Sequence, residues 1–160
     1  MQTTRRKKDG GFSLIELVIV VVIIGIIGAI AIPRMSRGAS GAADSALVAN
    51  LSVLRNALDL YAAEHGGDYP TDETTIAEQL TGRTNAAGDV MPAAGDPADY
   101  IYGPYLRAVP PLPVGANKGE TGFTDSEGES GSGWHYDAGE VKASTLPMEV
   151  DEGGTAYSEY

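Results

Sequence analysis

Residues 17–32 form an unbroken apolar run of 16 residues, and a single carboxylate, Glu16, stands immediately before it. As a helix that rises about 1.5 Å per residue, this run spans roughly 24 Å, whereas counting from Phe12 gives about 31 Å. A hydrocarbon core is about 30 Å thick, so the longer segment predicts a membrane helix. A carboxylate at the centre of such a helix costs about 2.5–3.5 kcal/mol, and less near an end, so Glu16 requires a partner or a function.

Charge is distributed unevenly around this segment. Residues 1–11 carry a net charge of +3, whereas residues 12–160 contain 7 basic and 21 acidic side chains. The positive charge before the run predicts a cytoplasmic N-terminus and an exported C-terminal part. The acidic remainder argues against nucleic acid as a partner, because it repels the phosphate backbone.

Two ordinary interpretations of the apolar run are a secretory signal and a plain membrane anchor. A cleaved signal needs small residues of the A-x-A kind, and Ala29 and Ala31 offer such a pattern. The length of the run and the helix-like sequence after it argue against cleavage there. A plain single-span anchor agrees with the charge asymmetry but leaves Glu16 unexplained.

The segment KKDGGFSLIELVIVVVIIGIIGAIAIP, residues 7–33, resembles the class III leader of type IV pilins and type II secretion pseudopilins. The resemblance is carried by the basic residues, a glycine followed by Phe12, Glu16 four residues later, and the apolar run that ends before Pro33. In that family a prepilin peptidase cuts after the glycine and methylates the new N-terminal residue. The resemblance therefore implies cleavage between Gly11 and Phe12 and N-methylation of Phe12.

Cleavage would give Glu16 a partner, because the new α-amino group of Phe12 is a cation at the membrane edge. Positions i and i+4 share a helix face, so the amine and the carboxylate can neutralise each other within one subunit or between neighbours. We therefore expect Glu16 to set the register of assembly. Gly25 and Gly28 are predicted to permit close helix packing, with simple loosening of the helix as the alternative. Pro33 predicts a kink, because proline removes a backbone hydrogen bond and clashes with the preceding turn.

A second apolar stripe predicts that the helix continues into the C-terminal part of the chain. Its members are spaced by four and three residues alternately, which places them on one helix face. They are Leu47, Leu51, Leu54, Leu58 and Tyr61. Gly66 and Gly67 are expected to end the helix. The sequence thus predicts one long helix over about residues 12–65, bent near Pro33.

The residue pattern of the C-terminal part predicts a small antiparallel sheet with loops. Residues 128–145 are typical of a hairpin, since Trp134 and Tyr136 alternate on one face before a turn at 137–139. Residues 100–113, YIYGPYLRAVPPLP, resemble the stretch that packs on the long helix in major pseudopilins. The predicted fold class is α+β and type IV pilin-like, with the long N-terminal helix packed on this sheet.

The resemblance also implies a division of the chain into three parts. Residues 1–11 are the cleaved leader, residues 12–35 are the transmembrane and filament-core helix, and residues 36–160 are a periplasmic or extracellular globular domain. The protein is expected in the cytoplasmic (inner) membrane as a single-pass protein with this domain outside, and in the filament after assembly.

No catalytic motif is present, and the chain is predicted not to be an enzyme. His65 and His135 lie far apart in sequence, and a lone histidine at a helix end is usually a cap or a surface residue. Asp125, Glu127 and Glu129 alternate in a glycine-rich loop and are candidates for calcium, which takes oxygen ligands from flexible loops. A solvated acidic loop is the alternative, and no other cofactor or metal is predicted.

These features together predict a structural subunit of a type II secretion pseudopilus or a type IV pilus-like filament, polymerising through its N-terminal helix. The expected partners are further copies of the chain, the prepilin peptidase, an inner-membrane assembly platform and minor pilins or pseudopilins. Many pilins close a C-terminal loop with a disulfide, so the lack of cysteine favours a pseudopilin. The alternative is a monomeric, membrane-anchored extracytoplasmic binding module.

Overall fold

The computed structural model describes the backbone of residues 12–160 and the side chains of residues 12–29 and 39–160. The chain forms two compact units, Met1–Ala39 and Ser40–Tyr160. Its elements are α1 (Leu14–Glu64), α2 (Ile76–Thr81), β1 (Gly122–Thr124), β2 (Ser132–Asp137), β3 (Glu140–Ala143) and a final 3-10 helix (Tyr157–Glu159). A long N-terminal helix packs on a small C-terminal sheet, so the predicted α+β, pilin-like fold class is confirmed.

Helix α1 ends where two glycines follow it, as the sequence predicts. Gly66 and Gly67 have φ angles of +74° and +102°, a conformation that glycine adopts without steric cost. The N–H of Gly67 donates a 2.7 Å hydrogen bond to the carbonyl of Ala62, which is the six-to-one contact of a Schellman cap. This contact satisfies a carbonyl of the last turn and turns the chain towards α2.

The predicted apolar stripe of α1 is the centre of the hydrophobic core. Its five side chains, from Leu47 to Tyr61, are 0–3% exposed. Trp134 and Val141 of the sheet and Leu80 of α2 pack against them. Each large apolar side chain buried in this way contributes about 1.5–3 kcal/mol, so the stripe determines which face of the helix covers the sheet.

Strands β2 and β3 form the predicted hairpin. Trp134 pairs with Ala143 and Tyr136 pairs with Val141 in antiparallel register. The two residues of the turn, Ala138 and Gly139, have φ angles of +46° and +95°. Two consecutive positive φ angles are typical of a type I′ turn, whose twist matches that of the two strands.

The sheet is mixed rather than wholly antiparallel, which corrects the prediction at one edge. Strand β1 pairs in parallel with β2 through Phe123 and Trp134, and its register is irregular between Gly122 and Phe123. Parallel neighbours normally need a crossover of about a dozen residues or more. Because β1 has only 3 residues, the chain has to travel back only a short distance before β2 begins. The seven residues 125–131 are enough to cover that distance.

Residues 100–113 pack on α1 and on the sheet, as the sequence analysis expected. Asn50 Nδ2 donates to the carbonyl of Pro111 at 3.0 Å, and the indole N–H of Trp134 donates to the carbonyl of Pro110 at 2.9 Å. Proline cannot donate to a strand ladder, but its carbonyl can accept from side chains. The proline-rich segment is therefore held by side-chain donors from two elements.

Within the part of the chain that the structure describes, no helix is long and apolar enough to cross a membrane. The predicted kink at Pro33 lies among residues 30–38, whose side chains are outside the described ones. The kink therefore stays a prediction.

Candidate functional site

The first turn of α1 contains the candidate site, and the carboxylate of Glu16 closes that turn. Glu16 Oε2 accepts a 2.9 Å hydrogen bond from the backbone N–H of Ser13, and the N–H of Leu17 donates to the carbonyl of Ser13 at 3.2 Å. Ser13 is thus the N-cap residue and Glu16 the third helical residue, which is the glutamate half of a capping box. The carboxylate satisfies an N–H at the helix end and faces the positive end of the helix dipole.

This hydrogen bond gives Glu16 a local role that the sequence analysis missed, although the S-x-x-E pattern is a recognised helix-start signal. The partner predicted for Glu16, the α-amino group of Phe12, exists only after cleavage, so the uncleaved chain does not contain it. Phe12 lies next to the N-cap and its side chain is 85% exposed. Gly11, the residue before the predicted cleavage point, lies outside the described residues.

The apolar side chains in the first part of α1 are only partly covered by their own unit. From Leu14 to Ile27 the large apolar side chains are 45–82% exposed. Apart from the backbone of the helix itself, a Cβ atom added at Gly25 or Gly28 would meet no atom of the described residues within 4 Å. Described by itself, this unit presents a long apolar surface, and a surface of this kind marks contact with lipid or with other proteins.

The calcium candidates lie in the loop between β1 and β2 and contact neighbouring hydroxyl groups. Asp125 accepts a 3.0 Å hydrogen bond from the hydroxyl of Ser126, and Glu129 accepts one from the hydroxyl of Thr124. Glu127 is exposed. Across the described residues, no group of three or more histidine or acidic side chains is placed to hold a metal ion. Calcium binding stays a prediction.

His65 is a core residue rather than the cap or surface residue that its position at the helix end predicts. It is 9% exposed, and its ring stacks on that of Tyr61 with 3.9 Å between centroids. Its Nδ1 lies 2.8 Å from the carbonyl oxygen of Tyr61, and its Nε2 lies 3.0 Å from the carbonyl oxygen of Asn85. The loop that contains Asn85 therefore covers His65, which lies 20 positions earlier in the sequence. No local sequence signal indicates this burial.

Comparison with known proteins identifies the N-terminal part of the chain. A family model described as the prokaryotic N-terminal methylation motif matches residues 6–32. The chain carries the prepilin-type leader of type IV pilins and pseudopilins, and this leader indicates membrane-anchored export. The motif indicates a type IV pilin-like substrate of prepilin peptidase. Neither the curated proteins nor the solved structures contain a match to the chain.

Proposed function

We propose that this chain is a structural subunit of a type II secretion pseudopilus or of a type IV pilus-like filament. The observation that carries the proposal is the methylation motif over residues 6–32, with Glu16 in the first turn of the helix that follows. Prepilin peptidase cuts between Gly11 and Phe12, releases the leader and methylates the α-amino group of Phe12. The product is a helix whose N-terminal cation and carboxylate are four residues apart.

Before assembly, residues 12–35 hold the mature chain in the cytoplasmic membrane as a single span. The charge distribution supports this orientation, because the leader has a net charge of +3 and the rest of the chain has 7 basic against 21 acidic side chains. Positive charge is retained on the cytoplasmic side. The Ser40–Tyr160 unit then lies outside the cytoplasm, where the filament is built on the assembly platform with minor pilins or pseudopilins.

In the filament, neighbouring helices cover the apolar surface that lipid covers before assembly. Among the described residues, no side chain lies within 4 Å of a Cβ added at Gly25 or Gly28, and small residues favour close helix packing. The Glu16 carboxylate pairs with the methylated amine of a neighbouring Phe12. Leaving one member of a buried charge pair without its partner costs about 3–5 kcal/mol, so this contact selects one register.

Mass spectrometry of the mature N-terminus tests the processing step. In cells that contain prepilin peptidase, we expect a chain that begins at Phe12 and carries one added methyl group. A Gly11→Val variant is the matched control, since a branched side chain before the cut should leave residues 1–11 attached. A wild-type chain that still begins at Met1 under these conditions would overturn the proposal.

Cysteine cross-linking in membranes tests polymerisation and separates a filament subunit from a monomeric binding module. The chain contains no cysteine, so every cross-link of a single-cysteine variant reports the introduced residue. A subunit with Ile23→Cys on the apolar helix should form a cross-linked dimer in high yield with a long bifunctional thiol reagent, because one thiol per chain joins two neighbouring subunits. The exposed Glu127→Cys variant controls for random collision. Monomer alone in both variants would favour the binding module.

A further inference from the structure

His65 follows α1 directly, and each nitrogen of its ring lies against a backbone carbonyl oxygen. Nδ1 is 2.8 Å from the oxygen of Tyr61, one helical turn earlier, and Nε2 is 3.0 Å from the oxygen of Asn85. A carbonyl oxygen accepts hydrogen bonds and donates none, so each contact is favourable only where the nitrogen carries a proton. The geometry therefore asks for a donor at both positions of the ring.

A neutral imidazole ring cannot supply both donors, because one of its nitrogens carries a lone pair. With the proton on Nδ1, the lone pair of Nε2 faces the Asn85 oxygen, and with the proton on Nε2, the lone pair of Nδ1 faces the Tyr61 oxygen. The hydroxyl of Thr84 lies 3.2 Å from Nε2, but the Asn85 oxygen is closer to the same nitrogen. The doubly protonated imidazolium is the form that satisfies both carbonyls.

The position of the ring favours a positive charge in two further ways. It stands at the C-terminal end of a 51-residue helix, where the helix dipole stabilises a cation. It also stacks on Tyr61 with 9° between the ring planes, lies 5.0 Å from the ring of Tyr102, and an aromatic face attracts a cation. Burial opposes the charge, but a buried charge is tolerated where its hydrogen bonds are replaced, as both carbonyls do here.

The charged groups around the ring are mainly acidic. They belong to α1, to the loop after it, to the segment around Asn85 and to a cavity that His65 also lines, and they are Glu64, Asp68, Asp89, Glu73, Asp125 and Asp137. Arg83 is the basic residue of the segment around Asn85, and it is exposed. Burial, followed by the charges of Asp68 and Asp89, raises the pKa of Tyr61, so negative charge acts on the ring that stacks on His65. The same charge favours a protonated histidine.

The contact with Asn85 fastens a turn of the chain to the end of α1. Residues 85–89, which we call the Asn85 turn, are closed by their own hydrogen bonds, since Asn85 Oδ1 accepts the N–H groups of Ala87 at 3.0 Å and Asp89 at 2.9 Å. The turn can therefore move as one body. His65 joins it to α1, and Gln79 Nε2, which donates to the carbonyl of Gly88 at 2.9 Å, joins it to α2.

We propose that His65 is a pH-sensitive clasp, whose imidazolium holds the Asn85 turn against the end of α1 and whose deprotonation loosens that turn. Loss of either ring proton leaves a lone pair facing a carbonyl oxygen, so the folded chain binds the second proton more tightly than the unfolded chain does. The stabilisation is then complete below about pH 6, where a free histidine is also charged, and is lost as the pH rises. This property is independent of polymerisation and goes beyond the proposed function.

The direct test is nitrogen-15 nuclear magnetic resonance of the histidine rings in the detergent-solubilised full chain, from about pH 5 to about pH 9, a range that brackets histidine titration. An imidazolium gives two similar ring-nitrogen shifts, whereas a neutral ring gives two widely separated ones.

We expect His65 to keep the similar pair to a higher pH than His135, which is only partly buried and whose Nε2 lies 3.1 Å from the carbonyl oxygen of Asp125. The amide of Ala86 should shift with the same midpoint as His65, because its peptide group contains the Asn85 oxygen. A His65 ring that is neutral throughout, or that loses its proton at a lower pH than His135, would overturn the proposal.

Paired variants test whether this proton contributes to stability. In the wild type, the unfolding equilibrium constant from denaturant titration should rise about tenfold between about pH 6 and pH 9, as a one-unit difference in proton affinity requires. His65→Gln, which has no titratable proton, should remove most of this rise, whereas the matched control His135→Gln should keep it. The N-terminal amine titrates in the same range but is common to all three chains. Equal rises in both variants contradict the clasp, and the ring shifts of the wild type decide the question if His65→Gln does not fold.

Discussion

The hydroxyl of Tyr157 donates a 2.8 Å hydrogen bond to the carboxylate of Asp44, which joins residues 113 positions apart. The same carboxylate accepts the backbone N–H of Glu152 at 3.3 Å. Tyr157 also packs against the hydrophobic core, so the C-terminal 3-10 helix is held by a hydrogen bond to α1 and by an apolar contact with the core. Residues 146–160 contain little regular structure, and this attachment explains how they stay on the helix.

Removal of the Tyr157 hydroxyl should loosen this attachment. We expect Tyr157→Phe to lower the free energy of unfolding by about 1 kcal/mol, because the ring remains and only the hydrogen bond is lost. Thermal unfolding of the detergent-solubilised chain measures the change. Tyr100→Phe is the control, since it removes a tyrosine hydroxyl that is not a partner of the Asp44 carboxylate. Equal losses in the two variants would contradict a specific role for the Asp44 contact.

Tyr136 should limit stability at alkaline pH. Its hydroxyl donates to the carbonyl of Pro70 at 2.6 Å, and burial raises the pKa of Tyr136 from 10.0 to about 12. Because the folded pKa is the higher one, the stabilisation is complete below about pH 10 and is lost as the pH rises through about 12. We expect the unfolding temperature to fall across this window, with ionisation followed by tyrosinate absorbance. Tyr136→Phe should show a smaller fall, and an identical fall would exclude Tyr136 as its source.

The turn between β2 and β3 contains an alanine where glycine or asparagine is preferred. Ala138 has a φ angle of +46°, and a non-glycine residue in this conformation costs about 1–2 kcal/mol. Ala138→Asn should therefore raise the free energy of unfolding by about 0.5–1 kcal/mol, measured by thermal unfolding. Gly139→Ala should lower it, since the new Cβ would lie 2.8 Å from the ring of Tyr69. A fall in stability for Ala138→Asn would show that the turn does not prefer asparagine here.

Sequence patterns were most informative where the interacting residues are close in sequence. The alternation of Trp134 and Tyr136 was enough to predict the hairpin, because its turn and both strands lie within 12 residues. The leader was predictable for the same reason, since its glycine, Phe12 and Glu16 are contiguous or nearly so. The stripe from Leu47 to Tyr61 indicated which helix face is buried, because helical periodicity depends only on spacing.

Contacts between distant segments were not predictable in this way. His65 is buried because the loop around Asn85 folds over it, and β1 is a strand because Phe123 pairs beside Trp134. Both depend on where a loop lies in space, which residue spacing does not specify. A cavity in the Ser40–Tyr160 unit is another example, because its lining combines segments from Tyr61 to Ala138 that share no motif. The hydrogen bond between Ser13 and Glu16 is different, since its S-x-x-E pattern is local and is itself a helix-start signal.

The Ser13 contact provides a way to separate two roles of Glu16. Glutamine also serves at the third position of a capping box, so Glu16→Gln should keep the hydrogen bond to the Ser13 N–H while it removes the charge. Glu16→Ala removes both the charge and the cap. If the carboxylate sets the register by pairing with the amine of Phe12, the two variants should insert in the membrane and fail equally to assemble.

The measurement is the yield of cross-linked dimer in an Ile23→Cys background, normalised to the amount of processed chain in the membrane. We expect the dimer to be lost in both variants, because a neutral side chain leaves the buried amine of a neighbour uncompensated. Ser13→Ala is the matched control: it keeps the backbone N–H and the Glu16 charge, and its dimer should persist. If Glu16→Gln assembles like the wild type while Glu16→Ala does not, the role of Glu16 is to start the helix, and charge pairing does not set the register.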